Sequence, residues 1–116
     1  MEQDQPLEVR TDGQTVVIRL LVPTITDPQH IARISETVNE VIARQKPRVL
    51  VFDFELVRFF TSQILGILLQ ARQALQPLGG KVVIKSLSTT LKRVFRVTYL
   101  ERFFEFSDKD QMLVER

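Results

Sequence analysis

One stretch decides the fold: Val49-Leu50-Val51-Phe52-Asp53-Phe54-Glu55-Leu56-Val57-Arg58-Phe59-Phe60-Thr61-Ser62-Gln63-Ile64-Leu65-Gly66-Ile67-Leu68-Leu69. It opens on the continuous apolar run 49–52, the pattern of a strand buried on both faces in a sheet covered by helices. It closes on Ile64, Leu65, Ile67, Leu68 and Leu69, continued by Ala71 and Leu75. These residues cover much of a helix's circumference, so the first half of that helix is expected to be buried. The helix is predicted over 62–78, with Gly79-Gly80 supplying the left-handed exit that helix ends favour. Thr61 or Ser62 is expected to cap it, the hydroxyl accepting from a free backbone N–H.

Working outward, Leu7, Val9 and the pair Asp12-Gly13 predict a short strand and a hairpin turn. A β-branched strand follows over 15–22, stopped by Pro23. Asp27-Pro28 is a strong helix start: Asp is a favoured cap, and Pro at the first helical position gives up no hydrogen bond. Ile31, Ile34, Val38, Val41 and Ile42 then recur at spacings of three and four, one apolar stripe on a helix over 27–45 that Pro47 prevents from continuing. Downstream lie a strand over 81–85 and a third helix capped by Ser88 or Thr89 and carrying Leu91, Val94 and Phe95. A short strand at 103–106 and a helical turn at 108–114 complete the chain. The order ββ-α-β-α-β-α-β-α implies an α/β fold, a mixed four- to five-stranded sheet with helices packed against it. No linker or repeat divides the 116 residues, which are expected to form one domain spanning 1–116.

Composition narrows the function classes. With 44% apolar and 26% charged residues the chain has a globular balance. It has no cysteine, which excludes disulfides and thiolate metal sites and suits a reducing cytoplasm, the expected location. No apolar run reaches the ~20 residues of a membrane helix, and the acidic, polar start is not a secretory signal. Sixteen basic against 14 acidic residues is too small an excess to argue for direct nucleic-acid binding.

Catalytic groupings are weak. The single histidine, His30, sits in the first turn of a helix and is read as a surface residue. A Ser62–His30–Asp53 triad has no supporting spacing, and triads are defined by geometry. Asp53 and Glu55 are two apart at a strand end and share a face, but with no further ligand cluster they are read as exposed or as capping a turn. Gly79-Gly80-Lys81 lacks the spacing of a phosphate loop and leads into a strand. Lys92, Arg93, Arg96 and Arg102, interleaved with Phe95 and Tyr99, read as a solvated helix face with its aromatics in the core. The chain is therefore expected to be no enzyme and to need no cofactor or metal. The remaining site is Thr61-Ser62, because a phosphate is well tolerated at a helix N-terminus.

The series from Val49 to Phe104 resembles the STAS domain of bacterial anti-sigma factor antagonists. The resemblance rests on 49–54 and 57–69, then Gly79-Gly80-Lys81-Val82-Val83-Ile84, Leu91-Lys92-Arg93-Val94-Phe95, Leu100 and Phe103-Phe104. In that family the helix start reads apolar-Asp-Ser-Ser/Thr-Gly-Leu-Gly, and its first Ser is phosphorylated by a partner that is both kinase and anti-sigma factor. The resemblance implies Ser62 as phosphoacceptor (Thr61 the alternate) and Arg58, Thr61, Ser62, Gln63 and Ile64 as partner-binding residues. It also implies a serine-kinase anti-sigma factor as the protein partner. Leu65-Gly66 fall on the Leu-Gly pair. The chain departs from the pattern at Thr61, in place of the Asp, at Gln63, in place of the second hydroxyl residue, and at Ile64, in place of the first Gly. A β-branched side chain at 64 is expected to alter docking. The departures at Thr61 and Ile64 motivate an alternative, an unphosphorylated interaction module serving as a scaffold or a transporter accessory subunit.

Overall fold

The computed structural model describes residues 5–107. The predicted turn at 108–114 lies outside them. The elements are β1 (Leu7–Asp12), β2 (Thr15–Leu20), β3 (Thr24–Ile25), α1 (Pro28–Gln45), β4 (Val49–Asp53), β5 (Phe59–Phe60), α2 (Ser62–Leu75), β6 (Lys81–Lys85), α3 (Thr89–Val97) and β7 (Glu105–Ser107). Two 3₁₀ turns, Gln76–Leu78 and Leu100–Phe103, follow α2 and α3.

The main sheet has the order β1-β2-β4-β6-β7. The first pair is a two-residue hairpin and antiparallel; every other pair is parallel. This is the mixed five-stranded α/β architecture expected from the sequence. Val16, Leu50 and Val82 stand side by side across the register, as do Ile18, Phe52 and Ile84. All six join the core with Ile31, Ile34 and Val38 of α1, Ile64, Leu68 and Leu75 of α2, and Leu91 and Phe95 of α3. The core thus lies between one face of the sheet and the helices. Val51 and Val83 are buried too, but they point to the opposite face and stand outside that core. The both-face burial read from 49–52 therefore holds, although the helices pack the other face.

Local chemistry sets the helix ends. The Asp27 carboxylate accepts from the Gln29 N–H at 2.8 Å and Pro28 follows as the first helical residue. α1 ends on Lys46 in the left-handed region (φ 45°), immediately before Pro47. Ser88 Oγ accepts from the Leu91 N–H at 3.1 Å and opens α3. α2 stops at Leu75, three residues earlier than predicted, because Pro77 lacks the N–H an α-helix needs and its ring would crowd the preceding turn; the chain tightens to 3₁₀ there. Gly79 then takes φ +82°. A Cβ on Gly80 would lie 2.6 Å from the Pro47 carbonyl oxygen, so this position holds the α2–β6 link against the α1–β4 link.

Three expectations are corrected. β2 ends at Leu20, not at residue 22. Beyond it the Pro23 carbonyl accepts from the Arg58 and Phe59 N–H groups, at 2.7 and 3.1 Å, and Thr24–Ile25 pairs in parallel with Phe59–Phe60. This second, two-stranded sheet was not foreseen. The last strand is 105–107 rather than 103–106, because Tyr99 turns left-handed (φ 62°) and the chain makes a 3₁₀ turn first. Tyr99 itself is exposed, not a core aromatic.

Gly80→Ala is expected to destabilise the fold by roughly 1–3 kcal/mol, since its methyl meets rigid backbone. Urea unfolding should show a lower midpoint with little change in slope.

Candidate functional site

The carboxyl ends of the parallel strands β2, β4 and β6 lie at one end of the sheet. Two loops and the start of α2 gather there. The β4–α2 connection is held tightly. The buried Asp53 carboxylate accepts from the Glu55 N–H at 3.0 Å, closing a turn. The Phe54 N–H donates to the Lys85 carbonyl at 2.9 Å and the Val57 N–H to the Phe54 carbonyl at 3.0 Å. Glu55, in the turn after β4, also pairs with Arg19 of β2 at 3.6 Å. Asp53 and Glu55 therefore divide into a turn-former and an ion-pair partner.

Phe60 fixes where α2 begins. Its ring packs edge-on against Phe54 (5.6 Å between centroids) and Phe95 (6.4 Å). The next N–H, that of Thr61, donates to the Ile25 carbonyl at 3.2 Å. Thr61 has the extended backbone of an N-cap (φ −81°, ψ 164°), and its carbonyl accepts from the Ile64 N–H at 3.0 Å. Its hydroxyl, however, makes no cap bond: Oγ1 is buried and without a partner. The predicted side-chain cap is absent, which leaves the N–H groups of Ser62 and Gln63, in the first turn of α2, without a side-chain cap.

The structure divides the predicted site residues. Arg58, Ser62 and Gln63 are exposed and Thr61 is half-buried. Ile64 is corrected: at 1% exposure its side chain belongs to the core and is not presented to a partner. His30 is corrected as well, being half-buried with an unpartnered Nδ1. No hydrogen bond among the described residues links Ser62, His30 and Asp53, so the triad is not assembled. No group of three His, Cys, Asp or Glu side chains that could hold a metal ion is found among the described residues. On α3, Lys92, Arg93 and Arg96 are exposed and Phe95 is buried, as read from the pattern.

Three further residues complete the surface. Leu56 and Phe59 are 41% and 54% exposed. Leu56 lines an open groove of about 470 Å³ with Leu21, Pro23 and Arg58. The adjacent pair Phe59-Phe60 carried a signal for this: in extended chain one ring must face outward. The third is Gly66, one helical turn beyond Ser62 on the same exposed face. A Cβ there would touch nothing within 4 Å. Neither backbone angle nor packing requires this glycine, though it weakens the helix. What it provides is a low, smooth surface beside Ser62.

The STAS domain family model matches residues 7–111. The chain belongs to the STAS family. Solved structures share the fold. The anti-sigma factor antagonist SpoIIAA in its unphosphorylated form superposes with a TM-score of 0.78 at 22% identity, covering 90% of this chain and 89% of that one. The Bacillus cell fate determinant SpoIIAA in the phosphorylated form gives 0.71 at 21%, covering 90% and 92%. A sulfate transporter family protein from Wolinella succinogenes gives 0.66 at 11%, covering 87% and 82%. No curated protein is significantly similar in sequence. Among the described residues, no helix of this STAS chain is long and apolar enough to cross a membrane.

Gly66→Ala separates the two demands on α2. Thermal or urea unfolding should show a gain of roughly 0.5–1 kcal/mol, because the helix gains propensity and nothing is crowded. Binding of a partner captured by the wild-type chain should weaken.

Proposed function

We propose that this STAS chain is a partner-switching regulator of the anti-sigma factor antagonist type, cytoplasmic and without catalytic activity of its own. It binds a serine-kinase anti-sigma partner through Leu56, Arg58, Phe59, Ser62, Gln63 and Gly66. Phosphorylation of Ser62 by that partner breaks the complex.

The observation that carries this reading is the exposure of Ser62 two residues after a rigidly held Phe60 and two before a core-facing Ile64. A phosphate there adds about −1.5 to −2 charges at neutral pH without touching the core. Uncapped N–H groups and the helix dipole make it tolerable within the chain. On a surface that is partly apolar, the same charge opposes docking through desolvation and repulsion. Thr61 is the poorer acceptor, because its Oγ1 is buried. The existence of phosphorylated and unphosphorylated forms of SpoIIAA, a neighbour in fold, supports the assignment.

The second reading is a constitutive interaction module, in a scaffold or on a transporter. Thr61 and Gln63 at altered motif positions favour it, as does the likeness to a sulfate transporter family protein.

Affinity capture from the native cell with Ser62→Ala and Ser62→Asp baits distinguishes the two. The switch predicts a kinase on the Ala bait and at least about a tenfold loss on the Asp bait, from repulsion and desolvation at the interface. Intact-mass measurement should find a phosphorylated wild-type form that Ser62→Ala lacks. Equal recovery of the same partners by both baits, with no phosphorylated form in any growth condition, would sink the switch and leave the module.

A further inference from the structure

The sheet has two edges, and they differ. β7 is three residues long. β1 has six residues, of which only Leu7 is buried, and Val9 is a 40% exposed apolar residue in its middle. Long, regular edge strands offer a row of backbone donors and acceptors to another strand.

The phase of that row is fixed. The Leu21 N–H donates to the Pro6 carbonyl at 2.8 Å, and the β1–β2 register places Pro6 opposite Leu21. In an antiparallel ladder, bonded and non-bonded pairs alternate. Pro6, Glu8, Arg10 and Asp12 therefore turn their backbone groups toward β2. Leu7, Val9 and Thr11 turn theirs to the open edge.

We propose that this edge is a self-association surface, on which two copies of the chain pair their β1 strands antiparallel about a two-fold axis at Val9. In this register Val9 bonds with the partner's Val9, and Leu7 with the partner's Thr11 on either side. Glu8 then stands opposite the partner's Arg10, twice. Both side chains are exposed, and both lie on the sheet face away from the helices, since they pair across β2 with Arg19 and Val17. Neither has an ion pair among the described residues. Moving the axis to Glu8 or to Arg10 keeps the backbone phase but sets like charges against each other on the axis. The alternation Glu8-Val9-Arg10 thus selects one register from the three. Charges on an edge strand usually deter pairing; here their alternating sign makes the edge complementary to itself. The contact is isologous and closes at two copies.

Sedimentation velocity of the full chain, across a concentration series, tests this. The wild type should pass from monomer to dimer. Glu8→Arg and Arg10→Glu each create two like-charge cross-strand pairs and should weaken dimerisation roughly tenfold, while the double exchange should return it to within about threefold. The chain has no cysteine, so single cysteines report the register directly. Across a bonded antiparallel pair the Cα atoms are about 5.5 Å apart, within disulfide reach. Val9→Cys should form a covalent dimer on mild oxidation. Thr11→Cys should not, because its own copy lies roughly 13 Å further along the partner strand. A chain that stays monomeric at every concentration, single variants that pair as well as wild type, or equal cross-linking at 9 and 11 would overturn the proposal.

Discussion

Phe60 is the fixed point of the molecule. Its ring closes a set of edge-to-face contacts running from Phe54 at the end of β4, through Phe60, to Phe95 on α3, and from there to Phe104 and Phe106 at 6.1 and 5.4 Å. Such pairs contribute about 0.5–1.5 kcal/mol each beyond the area they bury. Here they also tie together parts of the chain distant in sequence. The carbonyls of Pro23 and Ile25 clamp the backbone on either side of Phe60. The start of α2 is therefore fixed in place, and the exposed Ser62 follows immediately on that clamp.

That constraint lets α2 divide its labour cleanly. Ile64, Ile67, Leu68, Ala71 and Leu75 face inward and are buried. Ser62, Gln63, Gly66, Gln70 and Gln73 face outward and include no charge. An uncharged face of small and amide side chains is smooth and has little to desolvate. A single added phosphate would be the largest electrostatic event on it. The core side tolerates that event because the residues that hold the helix are separated from it by the width of the helix.

How much of this was legible in the sequence follows from the length over which each pattern repeats. α1 spans five turns of regular apolar spacing with Asp27-Pro28 at its start, and its limits were readable almost to the residue. The parallel strands β4 and β6 were readable as apolar runs. β3 and β5 have two residues each, fewer than any periodicity can mark, and they exist because the Pro23 and Ile25 carbonyls meet the N–H groups of 58, 59 and 61. At the site, the apolar spacing placed the helix start at Ser62, where the structure has it. The resemblance misassigned the Ile64 side chain, because matching positions to a motif says which residues are near a site and not which way they point. Three residues on from Thr61, the helical phase turns Ile64 toward the core. Gly66 was visible as a letter, but only the structure shows that neither packing nor backbone angle requires it.

The position of the β1 edge relative to α2 has a consequence for binding. α2 crosses from β4 to β6, so its start stands two strands in from β1. At a strand spacing near 4.8 Å that is about 10 Å of sheet, together with the depth of a helix layer on one face. Two copies joined through β1 leave both Ser62 surfaces uncovered and facing the same side of a continuous sheet. The link between them is rigid, being hydrogen-bonded strand rather than loop. A partner that is itself two-fold then meets two sites at a fixed separation, and the second contact becomes intramolecular. Under that geometry one phosphate per dimer would remove the advantage of the second contact as well as its own. The response to phosphorylation would be steeper than a single isolated site allows, with no change of conformation required.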